Sequence, residues 1–234
     1  KNKEAEDILE FQLNLGGEIL ASLDYPLPPN LARNEAENRM KRSIDNATRV
    51  AEILADKPNP PFLYICCHGQ SREDVRNYVV RVFERVQGLL PSFGLAVGSL
   101  VPLRGFDDSA VLSRICGVID GLPPSKRRHT PIHAFGVSGN LTPILAYLGV
   151  DSFDSTSYIQ AARNLSYSDP KTQQKLKVME LDAIDCECHV CRKTPLEEMQ
   201  QAFMEAKSYQ RTSTGKYKSE YYAAIALHNF EMDA

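Results

Sequence analysis

The sequence is short of the features that would announce several function classes. No apolar run approaches the roughly 20 residues of a membrane span, and no signal-peptide pattern opens the chain. A membrane partner is therefore not expected, and a cytoplasmic setting is. Charge of one sign is also lacking: 27 Lys and Arg stand against 30 Asp and Glu, a formal net charge of −3. No overall basic field is present to collect nucleic acid or an anionic surface. There is no disulfide framework either. Of six cysteines, Cys66, Cys67 and Cys116 lie in apolar stretches that suit buried, reduced thiols, which fits a reducing compartment. Internal repeats and low-complexity segments are absent. Apolar residues make up 43% of the 234, enough for an ordinary core.

What is present is an alternation. "EAEDILEFQLNLG" has helical apolar spacing and precedes a short apolar run, "EILASLD" (18–24), that ends in a carboxylate. After a Pro-rich loop, Ala36, Met40, Ile44, Ala47, Ala51 and Leu54 mark a long amphipathic helix. Val75, Val79, Phe83, Val86 and Leu90 mark another, and "DDSAVLSRICGVID" a third. "FLYICC" (62–67), "GLAVG" (94–98), "PIHAFGV" (131–137) and "VDSFD" (150–154) read as further strands. Near-continuous apolar strands alternating with helices predict a parallel sheet covered by helices.

Two architectures compete. A doubly wound sheet usually carries a Gly-rich phosphate loop after its first strand, and "EILASLDYPLPP" has none. A (β/α)8 barrel instead places chemistry at the C-terminal ends of several strands. Here Asp24, Cys67–His68, Gly98–Ser99, Phe135–Gly136 and Asp154 hold those places. The expectation is an α/β fold of the TIM-barrel type, incomplete, with about five of the eight strands. The chain begins at Lys1 without a methionine, so the other strands are expected before it or on another chain.

The remaining cysteines cluster. Cys186, Cys188 and Cys191 form C-x-C-x2-C, three thiolates close enough in sequence for tetrahedral zinc. A structural site needs a fourth ligand. His189 lies inside the loop and is badly placed to turn back on the same ion. His228 lies on a helical stretch whose apolar face carries Tyr221 and Ile225, so it can point inward and is the preferred ligand. A closed Cys3His set leaves no position for water, so this zinc should hold structure and do no chemistry. The expected division is a partial barrel over residues 1–180 and a zinc-binding part with a closing helix over 181–234.

Taken together, "LGGEILASLDYPLPP", "HGQSREDVR", "GLAVGSLVP", "HAFGV", "GVDSFDSTSY", "CECHVC" and "LHNF" resemble the tRNA-guanine transglycosylases, in order through nearly the whole chain. The pairing of "GVDSFD" with C-x-C-x2-C and a later His-Asn is the most specific part. The resemblance implies a (β/α)8 barrel with an inserted zinc-binding subdomain. It implies exchange of a guanine in a polynucleotide for a 7-deazaguanine base. "FDSTSY" and "GSLVP" look more like the archaeal-type branch, and like the related DNA-modifying enzymes, than the bacterial queuosine enzymes. The implied nucleic-acid partner is tRNA, with DNA a close second.

Residue by residue, Asp154 in "SFDS" matches the family nucleophile. Replacing a base at C1′ of a ribose passes through oxocarbenium-like character, and a carboxylate on the opposite face can trap that carbon as a covalent glycosyl-enzyme. Two displacements then return the original configuration, as in retaining glycosidases. Asp24 in "SLDYP" matches the aspartate that reads the guanine edge, accepting from N1–H and the 2-amino group. Ser99 and Leu100 sit where the family's backbone approaches the base, and Phe135, followed by Gly136, where an apolar side chain stacks on it. His68 departs from the family, which usually has glutamine there to bond the guanine O6. A histidine can donate to O6 in the right tautomer.

Further departures concern the ends. The family's general acid/base aspartate, near the end of an early strand, is expected before Lys1, and the RNA-binding C-terminal domain of many archaeal relatives is expected to be missing. The resemblance leaves room for a homodimer or an N-terminal partner segment. Basic residues cluster in "SKRRH" (125–129), expected at the barrel bottom, and in "KSYQRTSTGKYKSEYY" (207–222), where phosphate contact is plausible. The rival from a different class is a non-catalytic, zinc-containing accessory chain that supplies binding surface to a partner.

Overall fold

The computed structural model describes residues 4–103, 107–172, 174–208 and 216–233. Backbone contacts divide the chain into two units, Lys1–Asp154 and Ser155–Ala234, each with its own core.

The first unit runs α1 (Ala5–Asn14), β1 (Ile19–Ala21), α2 (Arg33–Ala55), β2 (Phe62–Cys67), α3 (Arg72–Val86), β3 (Gly94–Val97), α4 (Asp108–Gly121), β4 (Ile132–Ala134), α5 (Thr142–Tyr147) and β5 (Ser152–Phe153). The five strands lie in sequential order and every pairing is parallel, with Tyr64 opposite Gly94, Leu95 opposite Ile132 and His133 opposite Ser152. Consecutive helices pack on each other, α1 on α2, α2 on α3 and α3 on α4. They therefore share one face of the sheet. A doubly wound fold would divide its helices between two faces. Sequential strands with helices on one side wind as a barrel does, and the unit is an incomplete (β/α)8 barrel.

Side-chain alternation along the strands explains what faces where. Leu63, Ile65 and Cys67 of β2, Leu95 and Val97 of β3, and Ile132 and Ala134 of β4 enter the core beneath the helices. They meet Ile44, Ala47, Ala51 and Leu54 of α2, Val75, Val79 and Val82 of α3, and Val111, Ile115 and Val118 of α4. The alternate residues, Tyr64, Cys66 and His68, Ala96 and Gly98, His133 and Phe135, and Ser152 and Asp154, turn to the opposite face, the barrel interior.

Starts and stops follow local chemistry. Ser71 and Asp74 form a reciprocal capping box on α3, and Asp107 caps α4 by accepting from the Ala110 N–H. Helix α3 stops at Val86, short of the expected Leu90, because Gln87 leaves helical geometry with ψ 121°. Strand β1 is shorter than "EILASLD" suggests. After the Ser22 N–H bonds to the Tyr64 carbonyl, the chain lifts off the sheet and is held by α2 instead.

The second unit contains α6 (Ser157–Arg163), an antiparallel pair β6 (Ser166–Ser168) and β7 (Lys175–Lys177), α7 (Leu196–Ser208) and α8 (Lys216–Asp233). Its core gathers Ala162, Tyr167, Val178, Met199, Phe203 and Ile225. Three-residue strands leave too short an alternation to be read from sequence, and this hairpin was not expected. Among the described residues, no helix is long and apolar enough to cross a membrane. Residues 125–129 form exposed turns just before β4, at the sheet edge opposite the strands' C-terminal ends. The basic stretch 207–222 lies in large part outside the described residues.

Candidate active site and metal centre

Because all five strands are parallel, their C-terminal ends share one rim, and Asp24, His68, Ser99, Phe135 and Asp154 are all on it. The rim carries two hydrogen-bonded groups.

The first joins Asp24, His68 and Ser99. His68 is fully buried, with Nε2 2.7 Å from Asp24 Oδ2 and Nδ1 3.0 Å from Ser99 Oγ. The Leu27 N–H donates to the same Ser99 oxygen at 2.8 Å. A carboxylate only accepts, so the His68 Nε2–H donates to Asp24. Gly98 makes room for this ring, since a Cβ there would come within 2.4 Å of His68 Cε1. Ser99 takes a left-handed φ of 60°, a cost of about 1–2 kcal/mol for a non-glycine residue, and the buried Arg114 donates to its carbonyl at 2.6 Å. Burial lowers the Arg114 pKa, against the pull of Asp107 and Asp74.

The segment that carries Asp24 is tied to α2. Ser43 Oγ accepts from the Tyr25 N–H, Asn46 donates to the Leu23 carbonyl, Arg39 donates to the Pro26 carbonyl, and the Arg42 guanidinium lies 3.8 Å over the Tyr25 ring. Asp24 therefore sits on a braced loop while its side chain stays 30% exposed. Cys66 lies beside it, but burial, and then the Asp24 charge, push its thiol up to about 12. It is no nucleophile at neutral pH.

The second group centres on Asp154. The Gly136 N–H donates to Oδ1 at 2.8 Å, and His133 Nε2 is 3.1 Å from the same oxygen. Gly136 has φ 69°, and a Cβ there would strike Val101 at 2.2 Å, so a glycine is required at this turn. Asp154 remains 49% exposed. Phe135 is half-buried and meets the His133 ring edge-to-face at 4.7 Å. Leu100 points into the core under the helices, so only its backbone faces the rim. Sequence reasoning passed over His133, although its spacing of two from Phe135 on one strand puts both on the same face.

The candidate metal centre lies wholly within the second unit. The ligand atoms of Cys186, Cys188, Cys191 and His228 all lie within 4.8 Å of one another. His228 Nδ1 is 3.8, 3.4 and 3.4 Å from the three sulfurs in that order. Tetrahedral zinc, with bonds of about 2.3 Å to sulfur and 2.0–2.1 Å to nitrogen, sets such neighbours about 3.5 Å apart. His228 Nε2 donates to the Ser168 carbonyl at 2.8 Å, which leaves Nδ1 as the lone-pair nitrogen turned to the sulfurs. The Cys188 and Cys191 N–H groups donate to Cys186 Sγ and Cys188 Sγ. Without a cation, burial and the neighbouring sulfurs hold the Cys191 thiol up. The donor set fits zinc. His189 instead pairs with Glu231 at 2.7 Å.

Tyr167 stacks flat on the His228 ring at 4.1 Å. Asn229, fully buried, accepts from the Ser168 N–H and donates to the Ser166 carbonyl, so its amide pairs with β6 as a neighbouring strand would. The "HN" of "LHNF" therefore seats α8 on β6 through both residues.

The sequence of this chain is similar to those of known proteins. The sequence profile of the family described as queuine tRNA-ribosyltransferase matches residues 2–212. A tRNA-guanine(15) transglycosylase of Thermococcus kodakarensis is 31% identical over 195 residues, covering 82% of this chain and 31% of that protein. The enzyme of the same name from Methanopyrus kandleri is 30% identical over 188 residues, covering 80% of this chain and 38% of its own length. The chain thus spans about a third of the length of these curated relatives.

Proposed function

We propose, from the premise that this chain belongs to the queuine tRNA-ribosyltransferase family, that it carries the nucleophile and base-reading half of a transglycosylase acting on tRNA. In this reading a guanine is exchanged for a 7-deazaguanine base through a glycosyl-aspartate at Asp154. The observation that carries it is the state of Asp154: anchored through Oδ1 by Gly136 and His133, yet half exposed at the rim of a parallel barrel. A carboxylate held this way can offer an oxygen to C1′ while its charge offsets the positive charge developing there.

Asp24 is proposed to accept from the guanine N1–H and 2-amino group, with Ser99, Leu100 and Gly136 offering backbone groups and Phe135 stacking on the base. His68 acts in this reading mainly through Asp24, because both its ring nitrogens are already engaged. Its bond holds one carboxylate oxygen and leaves the other for the base. The relatives are tRNA-guanine(15) transglycosylases, which favours tRNA over DNA.

In functional terms the barrel is assigned to residues 1–180 and the zinc-binding part to 181–234, with β6 supplying the seat for His228. One structural zinc, held by Cys186, Cys188, Cys191 and His228, would contribute binding free energy to folding. It supplies no chemistry to the base exchange.

The test is Asp154→Asn in the full natural polypeptide that carries this sequence. Wild type, given tRNA and a 7-deazaguanine analogue, should yield an adduct that survives denaturing electrophoresis. The variant should bind tRNA with little change, since binding is spread over many phosphate contacts, and yield none. A normal adduct in the variant would remove Asp154 as nucleophile.

A further inference from the structure

A chain of polar groups runs behind Asp154 along the interior face of the barrel. His133 Nε2 lies 3.1 Å from Asp154 Oδ1, His133 Nδ1 lies 2.9 Å from Ser152 Oγ, and Ser152 Oγ lies 3.4 Å from the Tyr64 hydroxyl. These residues come from β2, β4 and β5, in register: Tyr64 pairs with Gly94 of β3, and His133 is directly opposite Ser152 of β5. The ring of His133 is wedged between Phe135, edge-to-face at 4.7 Å, and Tyr64 at 5.6 Å. It is 14% exposed while the carboxylate it meets is 49% exposed. A histidine packed against two aromatic rings, with each nitrogen engaged, is held in one orientation.

The donors can be assigned. A carboxylate only accepts, so the Nε2 hydrogen must lie between His133 and Asp154. In the neutral ring Nδ1 is then an acceptor, and it takes the hydroxyl hydrogen of Ser152. Ser152 Oγ can in turn accept from Tyr64. The Gly136 N–H donates to the same Asp154 oxygen, Oδ1. Among the described residues no hydrogen bond reaches Oδ2.

We infer that His133 is a positioning residue for Asp154, and that Oδ2 is the oxygen aimed at the sugar. The inference rests on the glycosyl-aspartate reading above. With Oδ1 pinned twice on one side, the carboxylate cannot rotate, and its free oxygen projects from the rim. In the transfer, an Oδ2 lone pair forms the bond to C1′ as the C1′–N9 pair leaves with the base. His133 keeps its proton throughout, and Ser152 and Tyr64 fix its tautomer. This separates it from an acid or base, whose proton would move.

Two arms test it on the full natural polypeptide. The first is independent of activity: two-bond 1H–15N correlation spectra of the imidazoles should show His133 with Nε2 protonated and Nδ1 not. Asp154→Asn should shift its Nε2 signal. A Nδ1-protonated ring, or a signal indifferent to Asp154→Asn, overturns the contact. The second arm is base exchange. His133→Phe keeps the apolar wedge and removes the donor. It should lower kcat on the order of 100-fold, the scale of a misplaced reacting group, with KM for tRNA nearly unchanged. His133→Gln, which returns an N–H near the place of Nε2, should recover most of that loss. Equal kinetics for the two variants, or a KM effect alone, would overturn the positioning role. Asp154→Asn run in parallel separates the readings. If it stays active, the glycosyl-aspartate reading fails; if it is dead while His133→Phe is normal, only this inference fails.

Discussion

In the first unit, side chains from β2, β3 and β4 meet those of α2, α3 and α4 in one apolar core, and most of what holds it is burial. In the second, the apolar core is small, and its main anchors are polar: three cysteines around His228, and Asn229 paired with β6. The difference is one of scale. Apolar stabilisation grows with buried area, about 25 cal/mol per Å2, and a small unit cannot bury enough to offset its chain entropy. A metal held by the Cys186, Cys188, Cys191 and His228 group, as proposed above, would substitute for missing core, because its binding free energy would be folding free energy. The same difference divides the chemistry. The first unit carries partly exposed carboxylates, Asp24 and Asp154, at its rim, whereas the buried His228 and Asn229 of the second bond to β6 of its own unit.

Breaking the metal centre should have the largest effect. Structural zinc contributes roughly 10–16 kcal/mol in small peptides, so Cys188→Ser should lose stoichiometric zinc and expose residues 155–234 to proteolysis. Residues 4–154 should remain resistant. Equal resistance of both units, with zinc absent by elemental analysis, would show that the second unit needs no metal.

A mid-sized effect should come from the first core. Leu95 is fully buried on β3, and Leu95→Ala should cost about 2–5 kcal/mol. Denaturant titration should show this loss with zinc content unchanged. A fall in zinc as well would mean that the two units do not stand independently.

The smallest effect should be polar and dependent on pH. Burial pushes the Asp74 carboxyl up, but hydrogen bonds from Arg33, Ser71 and the Gln70 N–H outweigh it and leave its pKa below 3.8. A lowered folded pKa means stability that is fully present above the unfolded value and lost as pH falls through the folded one. Asp74→Ala should therefore cost about 1–3 kcal/mol near neutrality. Melting curves of variant and wild type should converge as pH drops below 3.8. A difference that persists undiminished in acid would assign the loss to packing rather than charge.

Much of the first unit was legible because its signals are long. Six apolar positions on α2 repeat at helical spacing, and "FLYICC" is a full buried strand. The grouping of Cys186, Cys188 and Cys191 with His228 was legible for another reason: thiolates at C-x-C-x2-C have few uses besides a metal, and an inward histidine on a helix can join them. The hairpin of β6 and β7 was not, since "SYS" and "KLK" are too short to show a period. Nor was the end of α3, where apolar spacing continues to Leu90 but the backbone turns at Gln87.

The sequence by itself determined the alternation of strands and helices, the absence of a phosphate loop, and which residues stand at the strand ends. Those follow from local spacing and residue chemistry, which need no neighbours. Tertiary structure alone decided which of those residues touch. Asp24 and His68 are 44 positions apart and hydrogen-bonded; His133 and Asp154 are 21 apart and hydrogen-bonded too. Parallel pairing brings such residues to one rim because each crossover returns the chain to the same edge of the sheet. Whether a side chain there is free for substrate or bound to its neighbour depends on register, on the room left at Gly98 and on the turn at Gly136, and all three are properties of the assembled barrel.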